Sequence, residues 1–171
     1  MSGATRYTTR GIGNNLGMPD NPAGLVYGTV TVAALLAAES ARRETYVAVI
    51  ASVVITLILY WLAHAYAEFV GHRLHTEEHF TYRGLVRTAA HEFAVVLGAT
   101  VPLAVLLGCW AFGTRLGTAV SASIWTAAGA IVAVELVIGI KADLEGRDLI
   151  RQTLFGAVLG LLVIALRVVL H

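Results

Sequence analysis

The stretch TYVAVIASVVITLILYWLAHAYAEFV, residues Thr45 to Val70, decides the fold class. Nineteen residues without charge run from Thr45 to the first histidine, His64, and the stretch is rich in Val, Ile, Leu and Ala. At about 1.5 Å of rise per residue, roughly 20 such residues cross the hydrocarbon core of a bilayer. A strand is excluded there, because each unpaired backbone amide in lipid costs several kcal/mol. The segment is therefore expected to be a transmembrane helix, and two ionisable groups, His64 and Glu68, lie near its end.

The same punctuation recurs along the chain. Eighteen uncharged residues separate Asp20 from Glu39, twenty-two separate Glu92 from Arg115, nineteen separate Arg115 from Glu135, and fifteen separate Arg151 from Arg167. Five spans follow: Leu25–Ser40, Thr45–Val70, Ala89–Phe112, Thr118–Ile140 and Thr153–Leu170. The first is short and follows Pro22, so four spans with a tilted or interfacial first helix is the alternative. Arg167 in the fifth is expected to snorkel to a membrane surface. The fold class is thus an all-α, polytopic integral membrane bundle. Residues 1–23, rich in Gly, Asn, Thr and Pro, form a disordered polar leader, and 24–171 form a single helical domain. The apolar run in the leader is too short for a secretory signal.

Composition agrees. Of 171 residues, 57% are hydrophobic and only 13% charged, with a mean hydropathy of +0.75, against roughly a quarter charged in an ordinary soluble domain. Disorder throughout, a coiled coil and nucleic-acid binding all need charge that this chain lacks. The lone cysteine, Cys109, lies in an apolar run and is expected to be an inert thiol. With five spans, Arg6, Arg10, Arg73, Arg83, Arg87, Lys141, Arg147 and Arg151 share one side, and Arg42, Arg43, Arg115 and Arg167 the other. That bias places the N-terminus in the cytoplasm and the protein in a plasma (inner) membrane.

Small residues set how such helices pack. Gly24 and Gly28 make one small-xxx-small pair and Gly156 and Gly160 another, and the fourth span is dense in Ala, Gly, Ser and Thr. Packing within one chain is the simpler use of these faces; a homo-oligomer is the other. Pro102 is expected to kink the third span or free a carbonyl there. No internal repeat is present, which disfavours an inverted-repeat transporter within one chain.

Five of the six histidines fall between His64 and His91. His64, Glu68, His72, His75 and His79 follow one another at intervals of four, four, three and four residues, which places them within roughly 80° of arc on a continuous helix. Trp61 shares the stripe. His91 and Glu92 open the third span, and Glu135 lies six residues before Lys141, roughly 9 Å inside that boundary. His64, Glu68, His91, Glu92 and Glu135 are therefore expected at one depth, in the cytoplasmic half, as an ion- or proton-binding cluster. An ionisable side chain inside a span costs about 2.5 kcal/mol or more and normally faces the bundle interior with a partner. For Glu135 the expected partners are His91, Arg87 or Arg151.

Imidazole and carboxylate together suit Zn, Mn or Fe, with His72, His75 and His79 completing a set from His64 and Glu68. The same groups suit a proton relay. Each has a plain structural reading as well: interfacial histidines, solvated loop carboxylates at Glu77 and Glu78, and a His64–Glu68 hydrogen bond one turn apart. No strict metal signature, GxSxG or HExxH occurs. Fragments of the histidine boxes of membrane hydroxylases are present without the His-His pairs, and Glu77-Glu78 with Arg83 misses the spacing of intramembrane CAAX proteases by one residue. A single haem between His64 and His91 is a further alternative. The expected function is a small membrane transport or channel subunit passing cations or protons. A non-catalytic scaffold or accessory subunit is the first alternative, and a membrane metalloenzyme acting on a lipid-soluble substrate the second.

Overall fold

The computed structural model of the chain describes residues 21–38, 45–76, 81–144 and 146–170. Among these residues every regular element is a helix. Asn21 and Pro22 start the first: the Asn21 Oδ1 accepts the Gly24 N–H at 2.9 Å, and proline occupies the first helical position, where an N–H would have no partner. This helix, α1, spans Pro22–Ala38. Pro22 and Ala23 thus belong to α1 rather than to a leader, and residues 1–20 lie outside the described residues. The others are α2 (Tyr46–Thr76), α3 (Tyr82–His91), α4 (Ala94–Gly98), α5 (Thr100–Ala111), α6 (Leu116–Lys141) and α7 (Gly146–Leu170).

The turns follow from local backbone chemistry. Past α5, Gly113 takes φ +68°, its N–H bonds the Trp110 carbonyl at 3.0 Å, and the Thr114 N–H bonds that of Cys109 at 2.9 Å. Past α6 the same paired closure runs from Asp143 to Ile140 and from Leu144 to Gly139, with Asp143 at φ +53°. Both use the left-handed residue that caps helices by satisfying their last carbonyls. The short α6–α7 turn sets the two helices antiparallel and in step. A Cβ on Gly139 would meet Leu149, one on Gly156 would meet Glu135, and one on Gly160 would meet Ala128.

The third expected span is not one straight helix. It is α3, α4 and α5 in series, broken after His91 and at Ala99, and bent by 45° between the Tyr82–Gly98 and Thr100–Ala111 parts. The bend lies where Pro102 withholds its N–H from the Gly98 carbonyl. Three helices (Tyr46–Arg73 within α2, α6 and α7) are long and apolar enough to cross a membrane, and the bent pair makes a fourth if it counts as one span. The expected five spans are not reached on length, because α1 has 17 described residues, roughly 25 Å against about 30 Å of hydrocarbon. The fifth expected span also starts earlier, at Gly146 rather than Thr153.

Yet α1 is more enclosed than any of the three long helices. Val32, Ala33, Leu36 and Ala37 are fully buried, and α1 packs against α4, α6 and α7, with α2 and α5 touching it more lightly. Its glycines make this possible: a Cβ on Gly28 would overlap the Val95 carbonyl, and one on Gly24 would stand 2.9 Å from the Ala94 Cβ. Gly24, Gly28, Gly156 and Gly160 all lie at helix crossings within the chain. Around α1 the core is closed by Val49, Val53 and Leu57 of α2, Val95, Leu106, Val120, Ile124 and Val163. Large apolar side chains also point outward, among them Ile55, Leu59, Leu62, Leu161 and Leu162. Helices apolar on every side are what lipid, rather than water, accommodates.

Candidate functional site

The break between α3 and α4 places a carboxylate inside the bundle. After His91 the backbone tightens: the Phe93 N–H bonds Ala90 at 3.3 Å instead of Ala89. The released Ala89 carbonyl accepts the Trp61 Nε1–H from α2 at 3.0 Å, and the Trp61 ring meets Phe93 edge-on at 5.7 Å. Glu92, held at this corner, is 7% exposed.

One amide and two imidazoles gather round Glu92. Asn21 Nδ2 donates to Oε2 at 2.9 Å, His64 Nε2 stands 3.3 Å from the same oxygen, and His91 Nδ1 stands 3.0 Å from Oε1. An ionised carboxylate only accepts, so His91 Nδ1 donates to it, while His64 Nε2 stands beside it at ion-pair distance. A neutral His91 that donates there carries its proton on Nδ1, which leaves Nε2 as its nitrogen able to accept one. His64 lies between two phenol rings, Tyr60 stacked at 5.9 Å and Tyr27 tilted at 5.9 Å. The bonds from Asn21 and His91, with the His64 imidazole beside them, offset the cost of taking a carboxylate out of water.

One side of this cluster is open. A cleft of about 540 Å³ between the end of α2 and α3 is lined by Glu68, His72, Arg73, Arg87, Thr88, His91 and Glu92. His91, with its side chain 55% exposed, stands at the mouth, whereas His64 at 26% lies deeper. The array therefore runs imidazole, carboxylate, imidazole, with the buried Glu92 between His91 at the open cleft and the half-buried His64.

The structure brings His64, His91 and Glu92 together and does not bring all the expected residues with them. Glu68 and His72 are exposed and line the cleft without joining the array. His79 lies outside the described residues, as does the side chain of His75. No three His, Cys, Asp or Glu side chains group to hold a metal ion among the described residues. Of the ligand set expected from His64, Glu68, His72, His75 and His79, the first three are described, and they form no such group.

Glu135 is elsewhere. Its Oε2 accepts the Gln152 Nε2–H at 3.0 Å, across the α6–α7 hairpin, so the expected pairing with His91, Arg87 or Arg151 is replaced by an amide. It borders a second crevice, about 530 Å³, with Val26, Val30 and Tyr27 of α1. Val26 and Val30 lie two residues on from Gly24 and Gly28, hence roughly 200° round the helix. Glu135 and Glu92 are thus on opposite faces of α1.

Sequence reasoning missed Asn21, which it left in the leader, and Gln152. An Asn-Pro pair before an apolar run is a helix-start signature and marks Asn21 as a cap; its second bond, to Glu92, has no local signature. Gln152 was legible as the hairpin counterpart of Glu135, since residues equally far from a tight turn face each other. Against known proteins, the chain matches no family model, no curated protein and no solved structure.

Proposed function

We propose that this chain is a small membrane transport or channel subunit in which Glu92, with His64 and His91, takes up protons or a small cation from the cleft. The observation that carries this reading is a nearly buried carboxylate with one imidazole on each oxygen, one of them at an open mouth. Imidazole gains and loses a proton near neutral pH, and an ionisable group at membrane depth is expensive unless function requires it. A proton arriving on His91 Nε2 can release the Nδ1 proton to Glu92, and the protonated Glu92 can pass it to His64 Nε2 when that nitrogen carries none.

In this reading α1 is a fifth, short span, the N-terminus is cytoplasmic, and the cleft faces the cytoplasm of a cell bounded by this plasma membrane. Beyond Glu92 the interior is filled by Val32, Leu36, Val53 and Leu57, so a route to the far surface is proposed to need a second copy in a homo-oligomer. The test is proton or cation flux in proteoliposomes. His64→Ala and Glu92→Gln are each expected to lower the rate at least tenfold while the purified proteins stay monodisperse and helical. Unchanged flux in both variants would end the proposal.

A second reading rests on the same bonds. Glu92 joins the start of α1, the middle of α2 and the α3–α4 corner, which suits a clasp in a non-catalytic scaffold. Glu92→Gln then lowers thermal stability and leaves any flux untouched. The metalloenzyme alternative has no grouping of three ligands among the described residues to support it.

A further inference from the structure

The crevice on the far face of α1 assembles chemistry of a different kind from the Glu92 array, and Tyr27, which also meets the His64 ring, is the residue that touches both. Its walls are apolar side chains, chiefly Val26, Ile138 and Leu159, with the rings of Tyr27 and Phe155 exposed beside them and Glu135 as the one carboxylate among the described residues that line it. Its volume, about 530 Å³, is in the range of pockets for drug-sized molecules. Gly156 seats the acid: a Cβ there would stand 2.6 Å from the Glu135 Cγ, so any larger residue would push the side chain off α7. Gln152 fixes one carboxylate oxygen from its Nε2 at 3.0 Å. Among the described residues no basic side chain pairs with Glu135.

We propose that this crevice binds a hydrophobic organic cation, with Glu135 as its counter-charge. The lining selects that class by elimination. A lipid tail or other neutral apolar molecule leaves the carboxylate uncompensated in apolar surroundings, and an anion is repelled by it. A bare metal cation needs several oxygen ligands, and the walls offer one carboxylate. A cation with an apolar body satisfies both features at once: its charge meets Glu135, its body meets Val26, Ile138 and Leu159, and the faces of Tyr27 and Phe155 attract positive charge.

The experiment is equilibrium binding of tetraphenylphosphonium to the purified full chain in nanodiscs. The wild-type protein is expected to bind it saturably, near one per chain. Glu135→Gln, which keeps the shape, and Ala23→Trp, which fills the exposed rim and keeps the acid, should each weaken binding at least tenfold. Asp148→Asn removes an exposed acid of α7 that faces Arg151 at 3.3 Å and should leave binding unchanged. Absence of saturable binding to wild type overturns the proposal, as does a twofold or smaller change in Glu135→Gln. Where Glu135→Gln loses its fold, Ala23→Trp alone decides: tenfold weakening supports the crevice, and unchanged affinity overturns it.

Discussion

Thr29 shows how a single side chain repairs a break that the backbone cannot. Pro102 has no N–H, so the carbonyl of Gly98 loses its helical donor at the point where α4 gives way to α5. The Thr29 Oγ1 lies 2.8 Å from that carbonyl and 2.8 Å from its own Leu25 carbonyl, so one hydroxyl proton is shared between them. Thr29 is 3% exposed, and water cannot substitute. Thr29→Val keeps the shape and removes the donor; it is expected to cost about 1 kcal/mol, the scale of an interhelical hydrogen bond in a membrane protein. The measurement is thermal unfolding in detergent, with Thr29→Ser retaining most of the wild-type stability. An unshifted unfolding temperature in Thr29→Val would mean that the Gly98 carbonyl has another donor. The orphan carbonyl was legible from Pro102 alone. Its donor was not, because it lies 69 residues away and hydroxyls on apolar helices are too common to single one out. Trp61 is a parallel case: its place on the histidine stripe was visible, but its bond to the Ala89 carbonyl depends on a break that no proline marks.

Among the elements, α1 reverses the order of importance that hydropathy suggests. Length and apolarity rank α2, α6 and α7 first, yet α2 lies at the edge while the shorter α1 runs through the middle. Hydropathy measures compatibility with lipid, and the most lipid-compatible helices are those left facing it. Central position depends instead on close approach, which Gly24 and Gly28 supply against Ala94 and Val95. Gly28→Ala is therefore expected to destabilise by about 1–3 kcal/mol, since the added methyl meets backbone atoms of Val95 that cannot rotate away. Gly129 provides the control. It lies mid-helix in α6, and a methyl added there would find nothing within 4 Å, so Gly129→Ala should be neutral or stabilising by up to about 1 kcal/mol. Unfolding of both variants in the same detergent checks the contrast, and equal losses would refute a special role for the α1–α4 crossing. The hairpin of α6 and α7 was the most legible pair, because a short turn between two long helices leaves one antiparallel arrangement. The α3–α4 corner was the least, since nothing in the run from Thr88 to Val96 breaks a helix by composition.

Across the whole molecule, depth was readable and direction was not. Counting residues from a charged boundary gives the height of His64, Glu92 and Glu135 along their helices, but joining them requires knowing which faces meet. His64 and Glu92 do meet, while α1 separates Glu135 from both. The helices alternate in direction, so the start of α1, the end of α2, the start of α3 and the α6–α7 turn share one surface. The opposite surface carries the start of α2 and the α5–α6 turn, linked by the Tyr46 hydroxyl donating to the Thr114 carbonyl at 2.7 Å. There Arg167 also donates to the Ala37 carbonyl at 3.5 Å, a cation against the carbonyl end of α1 where the helix dipole favours it. Among the described residues Arg73, Arg83, Arg87, Lys141, Arg147 and Arg151 go with the first surface and Arg115 and Arg167 with the second, and the proposed orientation puts the more basic surface in the cytoplasm. Cysteine labelling tests this assignment in a background where Cys109, the one native cysteine, is replaced by serine. Arg83 and Asp143 are exposed on the first surface, and Phe112, 90% exposed, on the second. Arg83→Cys and Asp143→Cys are expected to react with a membrane-impermeant maleimide only in inverted vesicles, and Phe112→Cys only in intact cells. The mirror-image pattern would invert the orientation and turn the cleft outward. Labelling of all three from one surface would break the alternation itself, because an odd number of crossings must separate Arg83 from Phe112 if the bent α3–α5 passes through the bilayer.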